Sequence, residues 1–359
     1  MPKDSGMNGV QIPVRPQEAP VQNSISESPE ISARWQRQSA SPSPPKGFSN
    51  AHVMCYRNSM IQALLHIPKL VNWLEDYHDT CPKENRCTIC AFQRLSLLYW
   101  QTHPNSKDVN QSMAALTANL KTTATLRTWR WSRQQDANEF YMFLVNAMIE
   151  RHSRSRVVSP FEYRLGVPIR KDVRLEDILK TVTFAPANVS DYECEKCKKK
   201  GRATQHARLT TTPDILEIDF LRFQQTGRGV YKKNSSHVPF SSNLDLSAFA
   251  EGKSTLQYRL LSVVQHMGSF ANGHYRCIAK SPSGVWEELD DSSVRKSRIS
   301  EAINPGGGWT PYSLFYARVE DDAHLNGHVN GDGQVLQRES EGSRHSNHTS
   351  SHKRVKSHM

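Results

Sequence analysis

An α+β fold is predicted, because helical periodicities occupy the first half of the folded stretch and alternating strand patterns occupy the second. Cys55 to Ile67 carries Ile61, Leu64 and Leu65 on one helical face and stops at Pro68, which cannot continue a helix. Asp136 to Ile149 is the clearest helix. Asp136 stands at the N-cap, Glu139 follows three residues on, and Phe140, Phe143, Leu144, Ala147 and Met148 keep the i, i+3, i+4 rhythm. Strands are predicted at Asp214 to Phe223, Tyr258 to Gln265 and His274 to Lys280, each alternating and each bounded by Gly, Pro or Ser.

Polar sequence flanks this core. Residues 1–45 are rich in Pro, Ser, Gln and Glu, and 319–359 in Gly, Ser, Asn and His, so both are expected to be disordered tails around a folded unit at 46–318. The chain carries 46 Lys and Arg against 35 Asp and Glu, and all of the excess lies in 46–318, where 37 basic residues face 25 acidic ones. Basic runs at Lys196-Cys197-Lys198-Lys199-Lys200 and His352-Lys353-Arg354-Val355-Lys356 come without stacking aromatics, so a nucleic-acid partner is not expected. No run nears the roughly 20 apolar residues of a membrane span, and the N-terminus shows no signal-peptide pattern. Cytoplasm or nucleus is the expected location. Seven cysteines without regular spacing point to thiol or metal chemistry rather than a disulfide framework.

Cys55 opens its helix, where unsatisfied N–H groups and the positive dipole end favour a thiolate. Near the other end, Gly273 to Lys280 and Val285 to Asp291 read as a β-hairpin. A four-residue loop at 281–284 sets Asp291 opposite His274; a loop one residue shorter sets Asp290 there. Either carboxylate would fix the imidazole tautomer and leave the second ring nitrogen to take a proton from a thiol.

These residues resemble the ubiquitin-specific proteases. Gly47-Phe48-Ser49-Asn50, then Cys55-Tyr56-Arg57-Asn58-Ser59, is similar to that family's cysteine box, and Gln134-Gln135-Asp136-Ala137-Asn138-Glu139-Phe140 to its helix start. Arg222-Phe223, His266-Met267-Gly268, Gly273-His274-Tyr275, Trp286 to Asp291 and Pro311 to Tyr316 follow in the family's order. The resemblance implies a papain-like cysteine protease fold with thumb, palm and shortened fingers, hydrolysing the (iso)peptide bond after ubiquitin's C-terminal glycine. It implies Cys55 as nucleophile, His274 as general base, Asp290 as its orienter, Asp291 as a second polar partner and Asn50 as the oxyanion donor, with no cofactor for catalysis. Between Asn50 and Cys55 the family usually carries a glycine, and this chain has Ala51-His52-Val53-Met54. That departure motivates an alternative reading as a catalytically weak or inactive ubiquitin-binding scaffold.

His78, Cys81, Cys87 and Cys90 offer four zinc donors within thirteen residues, the ligand mix of a closed structural site. Cys194-Glu195-Lys196-Cys197 has no second cysteine pair upstream between 151 and 193, so it reads as a stranded half-site on a short hairpin. Cys277 alternates inward on its strand and is expected in the core.

Overall fold

The computed structural model describes residues 35, 43–50, 53–76, 87–103, 105–123, 129–152, 163–209, 213–252 and 255–319. Five helices come first: α1 (Cys55–Leu65), α2 (Pro68–Asp76), α3 (Thr88–Trp100), α4 (Ser106–Lys121) and α5 (Ala137–His152). Pro68 ends the first helical run as predicted and also opens α2, where its missing N–H costs nothing. Asp136 caps α5, its Oδ1 accepting from the backbone N–H of Asn138 at 2.7 Å and of Glu139 at 3.1 Å. The sequence pattern assigns α1 one apolar face, yet every residue of α1 is buried, including Arg57, Asn58, Ser59 and Gln62. The helix lies between the sheet and the other helices. Ser262 Oγ donates to Ala63 O at 3.1 Å on one side, and Tyr56 meets Phe140 edge-on on another. Its polar side chains therefore find protein partners instead of water.

The second half supplies β1 (Tyr163–Pro168), α6 (Leu175–Ile178) with a π-helical turn at Leu179–Thr183, β2 (Ala187–Glu193), β3 (Lys200–Gln205) and β4 (Ile215–Leu221). After these come β5 (Phe223–Gly227), β6 (Val230–Lys233), β7 (Asn243–Asp245), β8 (Gln257–Gly268), β9 (Gly273–Lys280), β10 (Trp286–Asp290), β11 (Ser293–Lys296), α7 (Ile299–Ile303) and β12 (Thr310–Arg318). The main sheet runs β1-β4-β12-β8-β9-β10-β11, with β7 on β8; only the β1–β4 pair is parallel. Strand alternation divides the interior in two. Val264, Cys277, Leu289 and Phe315 face α1 and α5, whereas Val263, Ile278, Leu314 and Tyr316 face Leu175, Ile178 and Ala302 of α6 and α7. Cys277 is fully buried, as its alternation predicts.

Trp35 and Ser43 fall inside the stretch predicted to be tail, and both pack on the core. Trp35 meets Trp100 edge-on with centroids 5.3 Å apart, and the Ser43 hydroxyl donates to Gln101 O at 3.1 Å. At the other end Val319 N–H still bonds Gln257 O at 2.8 Å, and 320–359 lie outside the described residues.

Arg222 ties the sheet to the strand that closes it. Its side chain is 1% exposed; Nε donates to Pro311 O at 2.6 Å, and Nη1 donates to Asn234 O and Ser236 O at 2.9 and 3.0 Å. Replacing it with methionine keeps most of the volume and leaves three inward-facing carbonyls without their donor. The expected cost is about 3 kcal/mol, read as a lowered urea midpoint at unchanged slope.

Candidate active site

Cys55 is the first residue of α1 and is 2% exposed. His274 is the second residue of β9, and Asp290 ends β10. The hairpin joining these strands differs from both predicted registers. Lys280 pairs with Trp286, so the loop runs over five residues, 281–285. Ser281 takes Val285 into the turn, its N–H and Oγ both donating to Val285 O at 2.9 and 3.0 Å, while Gly284 adopts φ +82°. Continuing this register, neither aspartate lies directly opposite His274. Asp290 falls opposite Arg276 and reaches back diagonally along the same face, the second-nearest approach that antiparallel strands allow. Its Oδ1 lies 2.6 Å from His274 Nε2.

With Nε2 engaged, Nδ1 is the ring nitrogen left for Cys55, and the two side chains share a hydrogen bond. The bond to Asp290, then the bond to Cys55, raise the His274 pKa to about 10. The same bond holds the Asp290 carboxyl below the usual carboxylate range. The imidazole is thus poised to stay protonated.

Asp291 does a different job. Its backbone sits at φ +50°, in the turn between β10 and β11, a conformation that aspartate tolerates better than most residues. Its Oδ2 lies 3.9 Å from His274 Nε2. Two amides donate to its carboxylate, Asn58 Nδ2 to Oδ1 and Asn50 Nδ2 to Oδ2, each at 2.8 Å. Its carbonyl accepts from Phe48 N–H at 2.7 Å. Gly47 is required by this contact, because a Cβ there would lie 2.3 Å from Ser292 O. Asn50 Oδ1 accepts from Met54 N–H at 2.9 Å, so one amide spans the start of α1 and the aspartate turn. The structure thus places Asn50 on Asp291 and at the entrance to the cysteine helix at once. Of the departing residues Ala51-His52-Val53-Met54, the first two lie outside the described residues.

Sequence reasoning quoted Asn58 and Gln134 inside motifs without giving them work. Asn58 orients Asp291 as above, and Arg57 fixes the amide's direction by donating to Asn58 Oδ1 from Nε and Nη2 at 3.2 and 2.8 Å. Gln134 Nε2 donates to Gly273 O, Gly273 N–H donates to Gln134 Oε1 at 3.1 Å, and Nε2 lies 4.0 Å from Cys55 Sγ. One side chain therefore aligns the start of β9 with the thiol. Gly273 admits no other residue, since a Cβ would lie 2.1 Å from His266 Nε2.

A cleft of about 900 Å³ leads to this point between the helical layer and the sheet. Gln134, Tyr275 and Tyr312 line it, and its carboxylates Asp136, Glu139 and Asp219 are matched by Arg130, Arg164 and Arg222. Burial raises the Asp219 carboxyl to about 6, against the pull of Arg164.

Of the proposed zinc donors, Cys87 and Cys90 are described and buried at the start of α3, while His78 and Cys81 lie outside the described residues. Cys194 and Cys197 form the turn of the exposed β2–β3 hairpin, with Lys198 N–H donating to Cys194 O at 2.8 Å and Cys194 N–H to Lys199 O at 3.0 Å.

A family model described as ubiquitin carboxyl-terminal hydrolase matches residues 46–316. Ubiquitin carboxyl-terminal hydrolase 36 of Drosophila grimshawi is 30% identical over 336 residues, which cover 79% of this chain and 26% of that protein. The Drosophila melanogaster protein of the same name is 29% identical over 320 residues, 75% of this chain and 29% of that one. The chain thus spans about a quarter to a third of the length of these relatives. Among solved structures, a chain of the SAGA DUB module Ubp8/Sgf11/Sus1/Sgf73 bound to monoubiquitin matches with a TM-score of 0.65 at 19% identity, covering 78% of this chain and 71% of that chain. The same module bound to ubiquitin aldehyde gives 0.63 at 18%, covering 79% and 72%. At such identities the likeness establishes the fold, the papain-like α+β arrangement.

Proposed function

Because the chain belongs to the ubiquitin carboxyl-terminal hydrolase family, matched along 46–316, we propose that it is a thiol-dependent deubiquitinase acting on ubiquitin or ubiquitinated proteins, with Cys55, His274 and Asp290 as its catalytic residues. The observation that carries this reading is the Cys55–His274–Asp290 arrangement beside a cleft that Gln134 and Tyr275 line. In the reading, the extended C-terminal tail of ubiquitin enters the cleft and presents its last carbonyl to Cys55 Sγ. The thiolate attacks, and negative charge develops on the carbonyl oxygen. The first-turn N–H groups of α1 have no intrahelical partner and would meet that charge, together with the second N–H of Asn50 Nδ2. His274 Nδ1 then protonates the leaving nitrogen as the C–N bond breaks, leaving a thioester on Cys55. Water, deprotonated by the now neutral imidazole, releases ubiquitin. Nucleophile, base and orienter all come from the chain's own side chains, which supply every step.

Asp291, with both oxygens held by amides, supplies a second fixed negative charge near the imidazolium and anchors the start of α1. The test of the whole reading is incubation of the full chain with a ubiquitin C-terminal fluorogenic substrate and with a ubiquitin electrophile probe. Turnover and a Cys55 adduct are expected; absence of both would refute it.

A structural zinc belongs to the same proposal. Cys87 and Cys90 stand one helical turn apart, both buried at the N-terminal end of α3, a placement that suits two thiolate donors. His78 and Cys81 would complete the set, and bound zinc would clamp the segment before α3 to the helix. One zinc per chain by elemental analysis is expected, lost in the Cys87→Ser/Cys90→Ser double variant; a metal-free folded chain would contradict it. The six described cysteines form no disulfide with one another, and location in cytoplasm or nucleus belongs to the same proposal.

A further inference from the structure

Strand alternation sets His274 on the face of β9 that it shares with Arg276 and Ile278, opposite Tyr275. Tyr275 of β9 lines the cleft and packs with the helical layer. Arg276 and Ile278 point to the opposite face, where Ile278 joins the second core. On that opposite face stands Trp309, whose ring centroid is 4.1 Å from the Arg276 guanidinium and 5.8 Å from the His274 ring.

The platform beneath the indole is rigid. Arg276 Nε donates to Gln265 Oε1 at 2.9 Å and Nη1 to Glu288 Oε2 at 2.8 Å; Arg295 Nε holds the other Glu288 oxygen at 2.7 Å. Gln265 in turn donates to the carbonyls of Glu301 and Ala302 in α7 at 2.8 and 3.1 Å. The approach to the indole is pliant by contrast. Gly306, Gly307 and Gly308 precede it, all exposed, with Gly307 and Gly308 at φ +64° and +80°. Trp309 itself is half-buried, and Thr310 locks the start of β12 by donating to His266 O at 3.0 Å.

If the ubiquitin tail arrives along the Tyr275 face, the leaving nitrogen departs beside His274, toward the side that Trp309 walls. For an isopeptide, that nitrogen carries the four-methylene stem of a lysine. Such a stem gains by lying along an aromatic surface, and a small leaving group has nothing to place there. We propose that Trp309 is a specificity-determining residue for the leaving group, packing the methylene stem of the substrate lysine so that isopeptide bonds are favoured over bonds to small leaving groups. This rests on the deubiquitinase reading above.

The experiment has a catalytic and a binding arm. In the first, kcat/KM of the full chain is measured on ubiquitin joined to the lysine Nε of a short peptide and on ubiquitin ethyl ester. Trp309→Ala lowers the ratio of the two values about tenfold, the size expected for partly burying a few methylenes, mainly through KM; Trp309→Phe keeps most of it. In the second, the Cys55→Ala chain binds the ubiquitin–lysine peptide conjugate about tenfold more tightly than free ubiquitin, and adding Trp309→Ala removes the difference. An equal loss on both substrates, or an unchanged ratio in a variant with an intact thermal transition, overturns the proposal while leaving the deubiquitinase reading in place. If the wild-type chain turns over neither substrate, the catalytic reading fails, and the binding arm alone then sustains or overturns the role of Trp309.

Discussion

The Cys55→Ala chain is expected to hydrolyse a ubiquitin C-terminal fluorogenic substrate at least about 10⁴-fold more slowly than the wild type, and to form no adduct with a ubiquitin electrophile probe. The size of the effect follows from what the thiol supplies. Without Sγ there is no nucleophile to divide the reaction through a thioester, and His274 Nδ1 loses the partner with which it shares a hydrogen bond. The fold should hardly notice. Cys55 is 2% exposed at the very start of α1, and alanine removes one atom beside the cleft rather than from the packed centre of the helix. A melting temperature close to that of the wild type, with ubiquitin binding retained, separates loss of chemistry from loss of structure. A Cys55→Ala chain that keeps a few per cent of the wild-type rate would remove Cys55 from the mechanism.

Asp290→Asn is expected to cost roughly 10²- to 10⁴-fold in kcat/KM and to move the alkaline limb of its pH profile. The hydrogen bond from Asp290 is the largest reason that the His274 pKa stands near 10. A neutral amide in its place lets the imidazolium lose its proton earlier, so the limb should shift from near 10 toward the ordinary histidine value. The sign for stability is the same. A histidine whose pKa is raised in the folded chain contributes fully below about 6.5, and that contribution fades as pH climbs through about 10. The wild-type advantage over Asp290→Asn should therefore shrink across that window in urea titrations. An unmoved limb would pass the orienting role to Asp291, whose Oδ2 lies 3.9 Å from Nε2.

Much of the site was legible because its chemistry is carried by short, local motifs. Cys55 before an apolar helix, Asp136 as an N-cap and His274 at a strand start are each set by neighbours within a few residues, and the structure places them so. The hairpin register was not legible. Counting loop residues allowed either aspartate to face the histidine directly, whereas the Ser281–Val285 turn moved the register by one and left Asp290 to reach across a diagonal. That outcome depends on a hydroxyl and a left-handed glycine closing a five-residue loop, which alternation alone does not encode. The burial of Arg57, Asn58 and Gln62 was also hidden, because a helical wheel assigns polar residues to water. Likewise Trp35 was counted with a polar tail until Trp100 stood beside it.

From sequence alone came the order of helices before strands, the thiol, imidazole and carboxylate proposed as the catalytic set, and the cysteine pair at 194 and 197 without a second pair between 151 and 193. These follow from periodicity and from side-chain chemistry, both of which are written locally in the chain. Only the tertiary structure decided that Asn50 and Asn58 converge on Asp291 from more than 230 residues away, that Gln134 pins the start of β9, and that Trp309 stands beside His274 over the Arg276 guanidinium. Those contacts depend on how a helix N-terminus, two hairpin turns and a closing strand meet in space. Hydrogen bonds between such distant residues are selected by packing, which no local pattern records.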